Sequence, residues 1–499
     1  MMIGGPMTKR FKRVLFLGAA LLSVVLLPGC SLLRVQPESA VVPLHYRSAS
    51  ELALAIRQGE TTSLDLLDRY LSRIDRYDGD LHSVVATNVA GAWVRAAEAD
   101  RALADGEIWG PLHGLPMTVK DVFEVAGMPA TSGDPKLRDY VPENNATAVQ
   151  RLVDAGAIVF GKTNVPYHAL DVQTYNSIYG TTNNPWDLSR TPGGSSGGAA
   201  VALAAGFTSL ELGSDIGGSV RIPAHYTGVF GHKPTFGLVP RYGHIPPMPG
   251  KVPPEVMPKI PMFVVGPMAR SAEDLALALR VLTASDREEQ SGKASALLPP
   301  RGNRLHDFRV AVWFTDSFAG AQIDDGIRVV LQQMVERLRD SVLDVDESAR
   351  PNVDLYQMSF VHQQIMGHML SGQPLPDWLA AEQKVIQAAW VPFFEKYDVL
   401  LAPVALTAAF PHDHKGSIVT RSLTVNGKQT SMMRNMVWAR IAVVSGLPAT
   451  VAPVGFTAAG LPVGVQIIGA WCEDLTTIAF ARALSRLVGG FVPPPGYDP

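Results

Sequence analysis

Apolar positions in the first part of the chain return at the helical period. Over residues 49–74 they are Leu52, Ile56, Leu64, Leu67, Leu71 and Ile74, with Gly59 as a break and Thr61-Thr62-Ser63 as a cap. Residues 90–104 are alanine-rich and form a further predicted helix. Short apolar runs with strand character then alternate with helical stretches. Residues 117–123 are the first clear one, and 157–160 and 209–212 follow. The segment 309–314 predicts another strand and 323–338 a helix. Val451-Ala452-Pro453-Val454-Gly455 and Gly464-Val465-Gln466-Ile467-Ile468-Gly469 predict strands joined by a turn at Gly460, before a closing helix at 474–487. This alternation predicts an α/β architecture, a sheet with crossover helices.

Two stretches interrupt the alternation. Residues 244–262 carry Pro246, Pro247, Pro249, Pro253, Pro254, Pro258 and Pro261, which forbid a regular element and predict an ordered surface loop or lid. Residues 285–307 are polar, include Pro299-Pro300, and predict a second surface excursion. The chain shows no internal repeat and no low-complexity tract.

The N-terminus has a different pattern. Lys9, Arg10, Lys12 and Arg13 precede an apolar run over 14–27, too short for a comfortable membrane span, which ends in Leu27-Pro28-Gly29-Cys30-Ser31. This resembles a bacterial lipobox, where the peptidase cuts before the cysteine and the thiol carries lipid. Pro28 stands where such sites usually have a small residue. The alternative is an ordinary signal peptide or anchor with an incidental cysteine. The expected organisation is a signal peptide at 1–29, a lipid-attachment tether at 30–47, a catalytic domain at 48–488 and a tail at 489–499. The only membrane contact would then be an N-terminal lipid at the bacterial cell envelope.

Composition narrows the function classes. At 499 residues the length alone allows about three domains. Apolar residues are 47% and charged residues 18%, enough to bury a large core. The 43 basic and 46 acidic residues leave a net charge of −3, which gives no reason to expect a nucleic-acid partner. Two cysteines, Cys30 and Cys472, exclude a disulfide framework and a cysteine-based zinc site.

Two motif matches fail on physical grounds. Gly156-Ala157-Ile158-Val159-Phe160-Gly161-Lys162-Thr163 fits the phosphate-loop pattern, but its apolar middle belongs in a buried strand rather than an exposed turn. Gly193-Gly194-Ser195-Ser196-Gly197 fits the nucleophile elbow of α/β-hydrolases, which needs an apolar strand directly before it. Here Asn183-Asn184-Pro185-Trp186-Asp187 and Arg190-Thr191-Pro192 precede it, which is loop chemistry. An esterase using Ser195 remains the alternative on that motif. His225 and His232 match no metal spacing and are more simply structural.

Three other stretches carry the candidate chemistry. Gly114-Leu115-Pro116-Met117-Thr118-Val119-Lys120-Asp121 puts a lysine in an apolar strand, where burial lowers its pKa and makes the amine a general base. An ion pair with Asp121 is the competing role. Gly193-Gly194-Ser195-Ser196-Gly197-Gly198 and Gly213-Ser214-Asp215-Ile216-Gly217-Gly218-Ser219-Val220-Arg221 put serines in glycine-rich turns. Consecutive N–H groups at Ile216, Gly217, Gly218 and Ser219 can form an oxyanion hole, and a helix is expected to start near Val220. A lysine with two serines is a known alternative to the Ser-His-Asp triad.

With these motifs stand Pro111-Leu112-His113-Gly114-Leu115-Pro116, Gly161-Lys162-Thr163-Asn164, Gly231-His232-Lys233-Pro234-Thr235-Phe236-Gly237, Gly266-Pro267-Met268-Ala269-Arg270-Ser271, Tyr397-Asp398-Val399-Leu400-Leu401-Ala402-Pro403 and Gly446-Leu447-Pro448-Ala449. Together they resemble the amidase signature family of serine hydrolases over about residues 48–488. The resemblance implies one α/β domain with a central, mostly parallel, twisted mixed sheet covered by helices. It implies Lys120 as base, Ser195 as bridging cis-serine and Ser219 as acyl-forming nucleophile. The oxyanion donors would lie on the backbone of Ile216, Gly217, Gly218 and Ser219, with Asp215 and Arg221 bracing the loop. It implies hydrolysis of a small-molecule amide without metal or cofactor, and leaves a homo-oligomer open. The region of His168 and Asp171 varies with substrate in the family. Ala439-Arg440-Ile441-Ala442-Val443 lacks an asparagine that many members carry. Met248, Met257, Phe263 and Trp438 are candidates for an acyl pocket or for core packing. The amidase component of a tRNA-dependent amidotransferase is the alternative within the family.

Overall fold

Ser48 opens the first helix, Ala49–Arg57, as a capping box: its hydroxyl accepts from Glu51 N–H while the Glu51 carboxylate accepts from Ser48 N–H at 2.8 Å. Thr62 caps the next helix, Ser63–Leu81, so the expected break falls between the two. The computed structural model describes residues 42–249, 262–284, 297–341 and 344–497, all within the unit that begins at Val42. Cys30, Met257 and the greater part of the two predicted loop segments lie outside the described residues.

The described strands, in chain order, are β1 (Val84–Thr87), β2 (Pro116–Lys120), β3 (Ile158–Thr163), β4 (Tyr175–Asn176), β5 (Gly180–Thr181), β6 (Leu210–Asp215), β7 (Phe230–Lys233), β8 (Val264–Ala269), β9 (Val310–Val312), β10 (Val345–Asp346), β11 (Val399–Pro403), β12 (Ser422–Val425), β13 (Lys428–Ser431), β14 (Ala449–Phe456) and β15 (Pro462–Ile468). Eleven form one sheet in the order β1-β3-β2-β6-β8-β7-β14-β15-β11-β9-β10, while β4–β5 and β12–β13 are separate pairs. Helices cover this mixed sheet, as expected for an α/β fold.

The sheet is not mostly parallel. β2 runs parallel to β3 and β6, and β9 runs parallel to β10 and β11, but the other six pairings are antiparallel. Parallel neighbours need a crossover. The helices Thr147–Asp154 and Gly197–Ala204 provide crossovers around β2, and Asp325–Arg339 lies between β9 and β10. β14 and β15 are joined by the predicted turn at Gly460, whose φ is +75°, and can only be antiparallel.

The parallel β2–β6 pair positions the site. With Val119 opposite Leu212, the carboxyl ends of both strands emerge at one edge, where open α/β sheets hold their ligands. The predicted strand 117–123 stops at Lys120, because the Lys120 carbonyl accepts from both Val122 N–H and Phe123 N–H in a tight turn. Helix Gly197–Ala204 is buried on every side. It lies so close to its neighbours that a Cβ on Gly198 would meet Asn164 N at 2.3 Å. The phosphate-loop lookalike is the buried strand β3, as its apolar middle requires.

The ends of the described chain, residues 42–47 and 489–497, meet on the folded body. Tyr46 is buried and its hydroxyl donates to the Tyr497 carbonyl at 2.8 Å, as does Arg73 Nη2 at 2.6 Å. The start of the proline-rich segment is no surface loop: His244 and Ile245 are buried, with Ile245 N–H donating to the Val122 carbonyl at 2.7 Å. Among the described residues no helix is long and apolar enough to cross a membrane.

Candidate active site

Lys120 sits at the end of β2 with no exposed surface. Its Nζ lies 2.7 Å from Ser195 Oγ and 3.1 Å from Ser214 Oγ. Side chains alternate along a strand and into the turn, so Asp121 points elsewhere and accepts from Lys162 Nζ at 3.1 Å. The ion pair considered for Lys120 is therefore made by Lys162. Burial pulls the Lys120 ammonium down to about 7, outweighing the opposing pull of Asp215 and Glu211.

Ser214 and His244 fix which way the lysine faces. His244 Nδ1 lies 2.9 Å from the Pro246 carbonyl, which can only accept, so Nδ1 carries the proton. The other nitrogen, Nε2, then accepts from the Ser214 hydroxyl at 2.9 Å. Burial holds His244 at about 3, so the ring stays neutral. With its proton given to His244, Ser214 Oγ accepts from Lys120. This leaves the lone pair of neutral Lys120 for the Ser195 hydroxyl.

Ser195 is held by the turn that enters helix Gly197–Ala204. No strand precedes it in the described residues 183–194, contrary to the requirements of a nucleophile elbow. The Gly194–Ser195 peptide is cis. Gly194 must be glycine, since a Cβ there would meet the Asp171 carbonyl oxygen and Gln173 N at 2.8 Å. The turn is tied to the second serine loop by Ser196 N–H donating to the Ser219 carbonyl at 3.1 Å.

Ser219 follows β6 in a loop wrapped around the Asp215 carboxylate. That group accepts from Gly218 N–H at 2.8 Å, Val220 N–H at 3.1 Å, and Arg221 Nε and Nη2 at 3.0 and 2.9 Å. Burial alone would raise the Asp215 carboxyl, but Arg221, Lys233 and the N–H donors outweigh it and hold it at about 2. Arg221 also donates to the Ala439 carbonyl at 2.7 Å and to the Gln466 side chain, anchoring the loop to the second half of the chain.

The expected set of oxyanion donors shrinks by one. Gly218 N–H is already bonded to Asp215, so Gly218 shapes the loop and does not donate into the cavity. Its φ of +117° explains the residue type. The N–H groups of Ile216, Gly217 and Ser219 have no such acceptor among the described residues. The Ile216 carbonyl accepts from His362 Nε2 at 2.8 Å, which fixes the peptide plane that presents Gly217 N–H. Burial holds His362 at about 3 and neutral. The expected helix begins at Arg221.

Two cavities of about 710 and 530 Å³ adjoin at Ser219. Ser195, Ser214 and His244 line only the larger, and Gly217 and His362 only the smaller. His168 and Asp171 reach these walls, each engaged by a partner: His168 Nε2 with the Asp134 carboxylate at 2.9 Å and Asp171 with Arg421. Phe263 lines the larger cavity, whereas Trp438 is core, donating to the Ala321 carbonyl at 2.9 Å and packed edge-on to Trp313. Met248 packs with Ala130, Leu137 and Ile245. His225 and His232 are structural: the first bonds Gly464 N–H and the Thr407 carbonyl, the second Asp474 and Thr450.

Ser214, His244 and His362 are the site residues that sequence reasoning missed. Ser214 was within reach, because alternation along β6 turns it to the opposite face from Asp215. His244 is hidden in the proline-rich run, and His362 sits in a helix whose pattern gives no hint of it.

The fold and this cluster define an α/β enzyme with a buried lysine and two serines at the edge of its sheet. The Amidase family profile matches residues 65–369 and 357–478. A glutamyl-tRNA(Gln) amidotransferase subunit of Deinococcus deserti is 34% identical, over 88% of this chain and 96% of that protein. Fatty-acid amide hydrolase 2-A of Danio rerio is 30% identical, over 91% of this chain and 90% of that one. A solved amidase superposes with a TM-score of 0.71 at 28% identity, covering 89% of this chain and all of the other. The chain belongs to the amidase signature family, hydrolases of carbon–nitrogen bonds.

Proposed function

We propose that the protein hydrolyses a carboxylic amide through an acyl-enzyme on Ser219. Neutral Lys120 takes the Ser195 proton as Ser195 Oγ takes that of Ser219, and Ser219 Oγ attacks the carbonyl carbon. The oxyanion develops against the N–H groups of Ile216, Gly217 and Ser219, each such donor contributing about 3 kcal/mol to the transition state. Ser195 then hands a proton to the nitrogen, the C–N bond breaks and the amine departs. Water repeats the sequence on the ester and releases the acid.

The observation carrying this reading is the 2.7 Å approach of Lys120 Nζ to Ser195 Oγ, on a cavity whose wall also holds Ser219. A serine-directed fluorophosphonate tests it. Labelling should fall on Ser219 and vanish in a folded Ser219→Ala protein that no longer hydrolyses amides. Label on Ser195 would favour the elbow-type esterase instead.

The similarity to amidotransferase components favours a second reading, the amidase component of such a complex. Turnover of a simple amide by the isolated chain decides against it.

We also propose that the enzyme works at the bacterial envelope, held by lipid on Cys30. The support is the basic, apolar and Leu27-Pro28-Gly29-Cys30 sequence of the leader. Full-length protein made in a bacterium should fractionate with membranes, and Cys30→Ser should abolish lipidation. An unmodified Cys30 in the secreted protein, seen by mass spectrometry, rejects this.

A further inference from the structure

The two cavities meeting at Ser219 are not equivalent, and their difference bears on which amide fits. The following rests on the acyl-Ser219 reading. The leaving nitrogen receives its proton from Ser195, so it must lie on the Ser195 side of the attacked carbonyl. Ser195 lines only the 710 Å³ cavity. The oxyanion faces the Ile216–Gly217 backbone, and the remaining substituent of the carbonyl carbon, the acyl group, is left with the 530 Å³ cavity. The larger chamber therefore receives the amine and the smaller the acyl group.

An amine chamber of this size does not suit ammonia. Ammonia is close in size to water, whose share of liquid volume is about 30 Å³, whereas 710 Å³ is room for a whole drug-sized group. Its walls are largely apolar, with Pro246, Pro247, Phe263, Met369 and Leu375 found on this side only. No Asp, Glu, Lys or Arg side chain lines it among the described residues. The acyl chamber has methionine and isoleucine walls at Ile418, Met433 and Met436. Among the described residues its one Asp, Glu, Lys or Arg, Asp171, is already paired with Arg421. Among the described residues neither chamber offers a free carboxylate, ammonium or guanidinium: besides the neutral His244 ring, the larger one has only the imidazoles of His168, held by Asp134, and His368. A charged ammonium taken there from water would go uncompensated.

We propose that the substrate is an uncharged secondary amide bearing an apolar group on nitrogen as well as on the carbonyl carbon. Amino-acid amides and glutamine, with charged acyl portions and ammonia as leaving group, fit neither chamber.

The test uses the full-length enzyme and four amides: acetamide, octanamide and their N-benzyl derivatives. Benzylamine and ammonia have similar basicity, so intrinsic leaving-group reactivity does not decide the outcome. N-benzyl octanamide should exceed octanamide in kcat/KM by about 10- to 100-fold, the worth of burying one aromatic ring. Leu375→Trp should lower the N-benzyl to primary ratio about tenfold, and Met433→Trp should instead lower the octanoyl to acetyl ratio. Faster turnover of the primary amides overturns the proposal. So does a swap of the two effects, which would put the amine in the smaller chamber. Either result leaves amide hydrolysis standing, whereas no turnover of any of the four, with no label on Ser219, removes both.

Discussion

Asp121 directly follows Lys120 in the chain, yet its carboxylate is bonded to Lys162 Nζ at 3.1 Å, both groups fully buried. Lys162 Nζ donates in addition to the carbonyls of Phe123 and Pro129 at 2.7 and 3.1 Å, pinning the turn after β2. Two lysines on neighbouring strands thus have opposite fates. One is paired, and the other is left to be neutralised by burial. Removing the paired one should strand a buried carboxylate: Lys162→Met should destabilise the fold by about 3–5 kcal/mol. Urea unfolding measures this, and a loss below about 1 kcal/mol would contradict the assigned pairing.

The value of about 7 for Lys120 fixes the pH dependence. The working form is the neutral amine, and the folded value lies below that of a free lysine. Activity should therefore be low in acid, rise with unit slope as pH approaches about 7 and level off above it. Lys120→Ala should cost several orders of magnitude in kcat/KM, and Lys120→Arg should not restore it because the guanidinium stays charged. A flat profile from pH 5 to 9 with a stable protein would rule out lysine as the base.

Lys120 and Ser195 form one relay, so their losses should not add. The double variant Lys120→Ala with Ser195→Ala should be within about tenfold of the worse single variant. Independent, multiplicative losses in kcat/KM would separate the two roles.

His362 acts on the oxyanion only through the Ile216 carbonyl. His362→Leu should lower kcat about 10- to 100-fold, by loosening the amides of Ile216 and Gly217, with a smaller change in KM. His362→Gln, which keeps an N–H donor, should recover part of the loss. Equal effects of both variants on KM alone would assign His362 to substrate contact.

The tautomer of His244 gives a further expectation. His244→Leu removes the acceptor for Ser214, which frees that hydroxyl to compete for the Lys120 lone pair. The kcat/KM profile should fall across the pH range by about tenfold, whereas His244→Phe and His244→Asn should differ because only Asn offers Ser214 an acceptor. Identical profiles for all three would reduce His244 to a packing role.

The sequence by itself determined the local elements and the reactive residue types. Periodicity and caps located the helices near 49–74, 90–104, 323–338 and 474–487, though not those at Leu355–Ser371 or Asp377–Ala388, and apolar runs located β2, β3, β6, β14 and β15 within a few residues. The glycine-rich turns marked Ser195 and Ser219, because a backbone packed so closely that a Cβ would come within 2.8 Å of the Asp171 carbonyl oxygen leaves that requirement written as Gly194. Asp215 and Arg221 were legible for the same reason, being six residues apart in one loop. What only the tertiary structure decided is everything that depends on partners distant in the chain. The balance of strand directions followed from which segments cross over and which fold back, which local pattern does not encode. The withdrawal of Gly218 from the oxyanion donors needed the carboxylate in place beside it. His362 and His244 reach the serine loop and β6 from 146 and 30 residues away, and their ring orientation is set by carbonyls that no motif announces. A lysine's isolation is likewise a three-dimensional fact: Lys120 is a base because the fold turns the adjacent carboxylate toward another strand.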